Sequence, residues 1–137
     1  MKKKERGFTL IELLIVMIIL GLLAALVGPR LFKKVGKAKQ QAAKTQIELL
    51  GSALDTFRLD VGRYPTTEEG LEALIKDPGI DKWDGPYLKK NKIPLDPWGR
   101  PYEYKCPGEH SEYDLYSLGA DGQIGGEGEN RDIVSWE

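Results

Sequence analysis

The chain reads as an α+β protein. It combines one long N-terminal α-helix, membrane-spanning in its first half, with a short second helix, a small antiparallel β-sheet and a C-terminal acidic loop. Three observations predict this. Phe8 to Val27 is almost unbroken hydrocarbon, and an apolar run of roughly 20 residues can cross a bilayer as a helix. Further on, Ala43, Ile47, Leu50, Leu54, Phe57 and Val61 recur at spacings of four and three, which is one apolar face of an α-helix. Beyond Leu95, short strand-like runs alternate with Gly and Pro turns.

The N-terminal segment is the most telling. A basic stretch, Met1-Lys2-Lys3-Lys4-Glu5-Arg6-Gly7, leads directly into the apolar run, and one carboxylate, Glu12, lies near the start of that run. A charge in such a span costs about 3 kcal/mol on insertion scales, so an intramembrane glutamate points to function. The basic leader is also compatible with a secretory signal, but the apolar stretch exceeds an ordinary signal core of about 7–15 residues. No clean Ala-x-Ala cleavage site follows it; Leu23-Ala24-Ala25-Leu26 is the nearest approach. The basic residues should remain cytoplasmic and place everything after Val27 across the membrane.

Gly21, Gly28 and Pro29 are weak points in this helix, and Pro29 predicts a kink or local melting. The amphipathic pattern then resumes as a continuation of the same helix, carrying Lys44, Glu48, Asp55 and Arg58 on its opposite side. Gly62-Arg63-Tyr64-Pro65 ends it. Thr66 and Glu69 have the spacing of a capping box for a second, short helix with Leu71, Leu74 and Ile75 on its apolar side, stopped by Asp77-Pro78-Gly79. Trp83, Tyr87 and Leu88 anchor the following loop. Asp96-Pro97-Trp98-Gly99 is a turn, Tyr102–Cys106 and Tyr113–Leu118 are paired strands, and Pro107–Ser111 joins them. Trp98, Trp136 and the tyrosines are expected in the core or on the sheet face against the long helix.

At 137 residues, about 110 remain after the span, enough for one modest core. The net charge of −1 argues against nucleic-acid binding. That average conceals an asymmetry. Arg30 to Arg63 carries eight cations against Glu48, Asp55 and Asp60, whereas Pro107 to Glu137 carries eight acids against Arg131. Such a split suits opposite faces meeting in neighbouring copies, a cation held by the acidic end, or two faces that stay solvated. Cys106 is the single cysteine, so no internal disulfide forms, and a small buried hydrophobe is its simplest role.

No catalytic arrangement is present in the sequence: no Ser/His/Asp set, no phosphate-cradling glycine loop and no zinc spacing. The chain is expected not to be an enzyme. One ligand candidate remains, the loop Gly119–Asp132, where oxygen donors recur among glycines that allow tight turns. Calcium takes about six to eight oxygens in adaptable geometry, which such a loop can supply, although it is not an EF-hand. A solvated acidic loop is the alternative. Against that, a structureless loop of about fourteen residues is uncommon unless functional or disordered.

The junction Lys-Glu-Arg-Gly7-Phe8-Thr9-Leu10-Ile11-Glu12-Leu13 resembles the class III leader junction of type IV pilins and pseudopilins. Gly62-Arg63-Tyr64-Pro65-Thr66, Glu69-Gly70-Leu71, Asp96-Pro97-Trp98-Gly99, Tyr116–Gly122 and Asp132-Ile133 resemble the major pseudopilins, the G subunits, of type II secretion systems. The resemblance covers essentially the whole chain. It implies a leader at 1–7, a transmembrane and assembly segment at 8–29 and a periplasmic domain at 30–137. A prepilin peptidase would cut between Gly7 and Phe8 and methylate the new amino group of Phe8. Glu12 would neutralise the terminal amine of a neighbouring subunit.

By the same resemblance, the subunits would form a homo-oligomeric helical filament with minor pseudopilins. They would be supplied from the bacterial inner membrane by an assembly platform, and the filament would drive export of folded proteins across the outer membrane. Pro29 would be a helix-melting position. Calcium would be bound by the Asp121 and Asp132 side chains and the Leu118 and Gln123 carbonyls, with Glu127, Glu129 or Asn130 able to replace one of these. Arg131 directly before Asp132, and the ending Ser135-Trp136-Glu137, depart from the family pattern. A pilin of a surface fibre is the nearest alternative, but those commonly close a C-terminal disulfide that one cysteine forbids. A secreted calcium-binding or ligand-binding domain with a cleaved signal peptide is the alternative from another class.

Overall fold

A computed structural model describes residues 7–137; the basic leader residues 1–6 lie outside the described residues. The α+β architecture expected from the sequence is present. Helix α1 runs Leu10–Val61, 52 residues. Thr9 starts it, its Oγ1 accepting from the Glu12 amide at 3.2 Å, which satisfies one of the amides that a helix leaves unpaired at its first turn. Gly62 ends it. At φ 93° this glycine adopts the left-handed conformation that closes helices, and its amide donates to the Arg58 carbonyl at 2.7 Å.

The chain forms two compact units, one up to Gly36 and one from Lys37 onward. In the first, every residue from Phe8 to Val27 is exposed, so this part of α1 presents hydrocarbon all round. The helix continues through Pro29, so the local melting that is one of the two outcomes expected there does not occur. The lost proline N–H removes one backbone bond, and the turns on either side keep theirs. A Cβ built at Gly21 or Gly28 would meet nothing within 4 Å, so neither glycine is required by packing within the chain.

In the second unit, the apolar face of α1 is buried as its periodicity predicts. Ala43, Ile47, Leu50, Ala53, Leu54 and Phe57 are all inside, and Leu71, Ala73, Leu74, Tyr102 and Leu115 close over them. Strands β1 (Glu103–Lys105), β2 (Asp114–Ser117) and β3 (Ile133–Val134) form one antiparallel sheet in that order. Glu103 faces Tyr116 across the first pair, and Tyr116 faces Val134 across the second. Leu115 of β2 and Tyr102, directly before β1, pack into the core, and the Tyr102 hydroxyl hydrogen-bonds the Gln46 side chain on α1.

The second helix expected after Thr66 is only a 3₁₀ turn, Leu71–Leu74. The capping box itself forms: Glu69 Oε1 accepts from the Thr66 amide at 2.8 Å, and Thr66 Oγ1 accepts from the Glu69 amide at 3.2 Å. Gly70, at φ 63°, then breaks the run before a second α-turn is made. The anchors in the following loop behave as expected. Trp83 Nε1 donates to the Ala73 carbonyl at 2.7 Å, and the Tyr87 hydroxyl donates to Asp60 at 2.9 Å. Neither Trp98 nor Trp136 joins the core against the long helix; Trp136 lies on the His110 ring, centroids 4.1 Å apart, beside Tyr116. Cys106 is half-buried, not enclosed.

Glu69 links this turn to solution pH. The Arg63 guanidinium, at 2.6 Å, together with the Thr66 amide, holds its carboxyl down to about 2. A depressed carboxylate contributes stability that is present above the unfolded value of about 4.5 and lost as pH falls toward 2. Because Arg63 is about half exposed, the contribution is on the order of 2 kcal/mol or less. Urea titrations at pH 5 and pH 3 should show the unmodified protein losing about half of that contribution and Glu69→Gln losing much less.

Candidate functional site

Two regions hold the residues that the sequence singles out. The first is the start of the apolar helix. Gly7, Phe8 and Thr9 precede α1 in non-helical chain, and Phe8 is 83% exposed. The Gly7–Phe8 peptide bond therefore lies just outside the helix, where backbone groups are not tied into a hydrogen-bonded ladder. Glu12 sits in the first turn of α1 and is exposed. A carboxylate is favoured there by the amide dipoles of the helix start, while its neighbours Ile11, Leu13 and Leu14 are exposed hydrocarbon. No cation lies within ion-pair distance of Glu12 among the described residues.

The second region is the C-terminal loop, braced by Asp96 and Arg100 of the turn before β1, residues whose sequence pattern signals only a turn. Asp96 is 5% exposed. One of its oxygens accepts from the Trp98 and Arg100 amides at 3.1 and 2.8 Å, and the other accepts from the Ser117 hydroxyl at 2.8 Å. Ser117 in turn accepts from the Gly119 amide at 3.3 Å. This buried carboxylate is thus satisfied on both oxygens, as burial requires. It joins the turn at residues 96–99 to the end of β2. Arg100 then reaches the loop, its guanidinium donating to the Gly119 carbonyl at 2.8 Å and the Ala120 carbonyl at 3.3 Å.

Gly119 is where the loop folds back on itself. It has φ 75°, and a Cβ there would stand 2.8–3.0 Å from the carbonyl oxygens of Glu129, Asn130 and Arg131. Three carbonyls therefore converge on one glycine, and only hydrogen at Cα leaves them room. The Ala120 amide closes the same contact by donating to the Glu129 carbonyl at 2.9 Å. A short 3₁₀ turn, Gly128–Asn130, gives the loop local structure, and the Gln40 side chain on α1 bonds the Gly128 carbonyl.

The loop carboxylates named from sequence occupy different environments. Asp121 is exposed, with one oxygen accepting from the Gln123 amide at 3.1 Å. Asp132 is half-buried; one oxygen accepts from the Gly125 amide at 2.9 Å, and the other, Oδ1, is buried with no partner among the described residues. Leu118 is half-buried and Gln123 exposed. Glu127, Glu129 and Asn130 are exposed, and no three His, Cys, Asp or Glu side chains gather at metal-binding distance among the described residues. A hard cation here would need carbonyl oxygens to complete its shell, which calcium accepts. The donor set is compatible with such an ion on one ground, the buried Asp132 oxygen that has no partner among the described residues.

A third cluster borders the loop. Asp114 accepts from the Glu109 and His110 amides and pairs with the His110 ring at 3.0 Å. Burial pushes the Asp114 carboxyl up, but those hydrogen bonds outweigh it and leave the group below its ordinary value. His110 lies in the Pro107–Ser111 connection, and the one sequence signal of its pairing is the spacing of four between His110 and Asp114.

The family model for "Type II secretion system (T2SS), protein G" matches residues 30–136, and that for the "Prokaryotic N-terminal methylation motif" matches residues 2–28. The type II secretion system core protein G of Pseudomonas aeruginosa is 47% identical over 142 residues, 99% of this chain and 98% of the relative. That of Vibrio cholerae is 47% identical over 138 residues, covering 98% of this chain and 93% of the relative. Among solved structures, the major pseudopilin from the type 2 secretion system of enterohaemorrhagic Escherichia coli is 38% identical. It superposes with a TM-score of 0.64 over 79% of this chain and 95% of its own. On the family models that match nearly its whole length and on relatives 47% identical over almost all of it, this chain belongs to the type II secretion system protein G family.

Proposed function

We propose that this chain is the major structural subunit of a type II secretion pseudopilus, a short periplasmic filament that drives export of folded proteins across the outer membrane. The observation that carries this reading is the fully exposed hydrocarbon of Phe8–Val27 with Glu12 at its start, in a chain of the protein G family. Its role is structural, not enzymatic. A prepilin peptidase cuts between Gly7 and Phe8 and methylates the Phe8 amine. The span anchors the subunit in the bacterial inner membrane as a single pass with residues 30–137 in the periplasm, in keeping with the basic leader on the cytoplasmic side.

Assembly follows from the cost of an unpaired carboxylate in hydrocarbon. Glu12 is stabilised when the freed amine of Phe8 on a neighbouring copy comes alongside, because a desolvated charge is tolerated only when paired. Copies stacking by their N-terminal helices cover the exposed apolar side chains of one another. Minor pseudopilins and the inner-membrane assembly platform supply the remaining contacts. Glu12→Ala should leave cutting intact and abolish assembly. Intact mass of the membrane fraction should show a chain beginning at methylated Phe8, and electron microscopy should show no filaments; normal filaments would overturn the pairing.

In the C-terminal loop, Asp121 and Asp132 with the Leu118 and Gln123 carbonyls would hold a calcium ion. Its chemistry is that of a hard cation offsetting the mutual repulsion of the loop acids. Support comes from the buried Asp132 oxygen that has no partner among the described residues. An ion at about 100 times its dissociation constant stabilises by about 2.7 kcal/mol. Removing calcium with EDTA should therefore lower the melting temperature by on the order of 10 °C, since each kcal/mol moves a domain this size by several degrees. Asp132→Asn should remove that difference, and an unchanged melting curve on chelation would remove the ion from the loop.

A further inference from the structure

The turn of α1 that follows the apolar span is divided into two faces. At about 100° per residue, Arg30, Lys33 and Lys34, spaced i, i+3 and i+4, share one side, and Leu31, Phe32 and Val35 share the other. All six side chains are exposed. No Asp or Glu occurs between Glu12 and Glu48, so no acid on α1 lies within the three- or four-residue reach that pairs charges on a helix. Among the described residues, none of the three cations joins an ion pair. A shallow hollow lined by Leu26, Val27 and Leu31, with Arg30 and Lys34, sits on this same stretch. Hydrocarbon and cation thus meet along one groove.

Depth identifies the partner. The helical part of the run, Leu10–Val27, rises about 1.5 Å per residue and so spans about 27 Å, to which Phe8 and Thr9 add enough to cover the roughly 30 Å of a bilayer's hydrocarbon. The turn at residues 30–35 then falls at the level of the phosphates on the side where the span ends. Long basic side chains there lay their stems on hydrocarbon and hold their charges at the headgroups. We infer that Arg30, Lys33 and Lys34 form a binding face for the phosphodiester groups of anionic phospholipids in that leaflet. The inference rests on the membrane-anchored reading above. It adds a specific lipid class and three residues to it.

The test uses the full chain reconstituted into vesicles of phosphatidylcholine with or without phosphatidylglycerol. A membrane-impermeant amine acylating reagent is applied to the side bearing the soluble domain, and labelling is read by mass spectrometry. Each basic residue near an anionic surface gains about a five-fold preference. Labelling of Lys33 and Lys34 should therefore slow about five-fold when phosphatidylglycerol is present, while Lys89 and Lys90 are unchanged. High salt should abolish the difference. The variant Arg30→Gln with Lys33→Gln should still float with vesicles and lose the lipid-dependent protection of Lys34.

Equal rates in both lipids would overturn the inference. So would protection that depends on protein density and not on lipid charge, which would assign the face to acidic groups of a second copy. A chain that fails to float with either vesicle would instead overturn the membrane reading beneath it.

Discussion

The constraint on which the rest depends is that an almost wholly apolar surface, Phe8 to Val27, has no cover among the described residues. Lipid can cover it, and so can the same surface of other copies, because in both cases apolar side chains leave water and the helix satisfies its own backbone groups. Lipid alone does not suit the carboxylate of Glu12, which sits in the first turn among Ile11, Leu13 and Leu14. In the filament proposed above, a single charge that is costly in the bilayer and inexpensive beside an amine would bias the choice between these two environments toward association. Placed at the first turn, that charge also gains from the amide dipoles of the helix start.

The soluble unit solves a different problem. Strands of three, four and two residues cannot form a stable sheet alone. Their stability comes from the face of α1 that runs from Ala43 to Phe57, onto which Tyr102 and Leu115 pack. Buried polar contacts then fix details that hydrophobic packing leaves loose. Asp96 ties the turn before β1 to Ser117 at the end of β2, and Arg100 carries the same connection into the C-terminal loop. A fully satisfied buried carboxylate of this kind sets geometry, because each of its partners is specified in position and direction.

Periodicity made α1 legible, since the spacing of Ala43, Ile47, Leu50, Leu54 and Phe57 follows directly from 3.6 residues per turn. The strands and the capping box were legible for equally local reasons, though the box caps a turn that Gly70 cuts short. Interactions between segments far apart in sequence were not. Asp96 and Ser117 are 21 residues apart, and Arg100 reaches the Gly119 carbonyl 19 residues away. Nothing in the local pattern at any of these positions encodes its partner. In the loop, the glycines signalled tight turns, but that the carbonyls of residues 129–131 converge on Gly119 is a property of the folded chain. Trp136 was expected in the core or on the sheet face against the long helix; it lies beside Tyr116 and stacks on the His110 imidazole, a partner that its size alone does not encode.

The charge asymmetry seen in the sequence resolves differently at its two ends. Within the soluble unit, several cations of the helix and loops find acids: Arg58 pairs with Glu112 at 2.7 Å, Arg63 with Glu69 at 2.6 Å and Arg131 with Glu137 at 3.1 Å. The first and last of these pairs are exposed on both sides and contribute little to stability, so their main effect is to use up charge. Arg30, Lys33 and Lys34 have no such acid within helical reach. An exposed cation in water needs none, because water solvates it well. These three, however, directly follow a segment that cannot remain in water, and so the medium that receives the hydrocarbon also fixes which anions the cations meet.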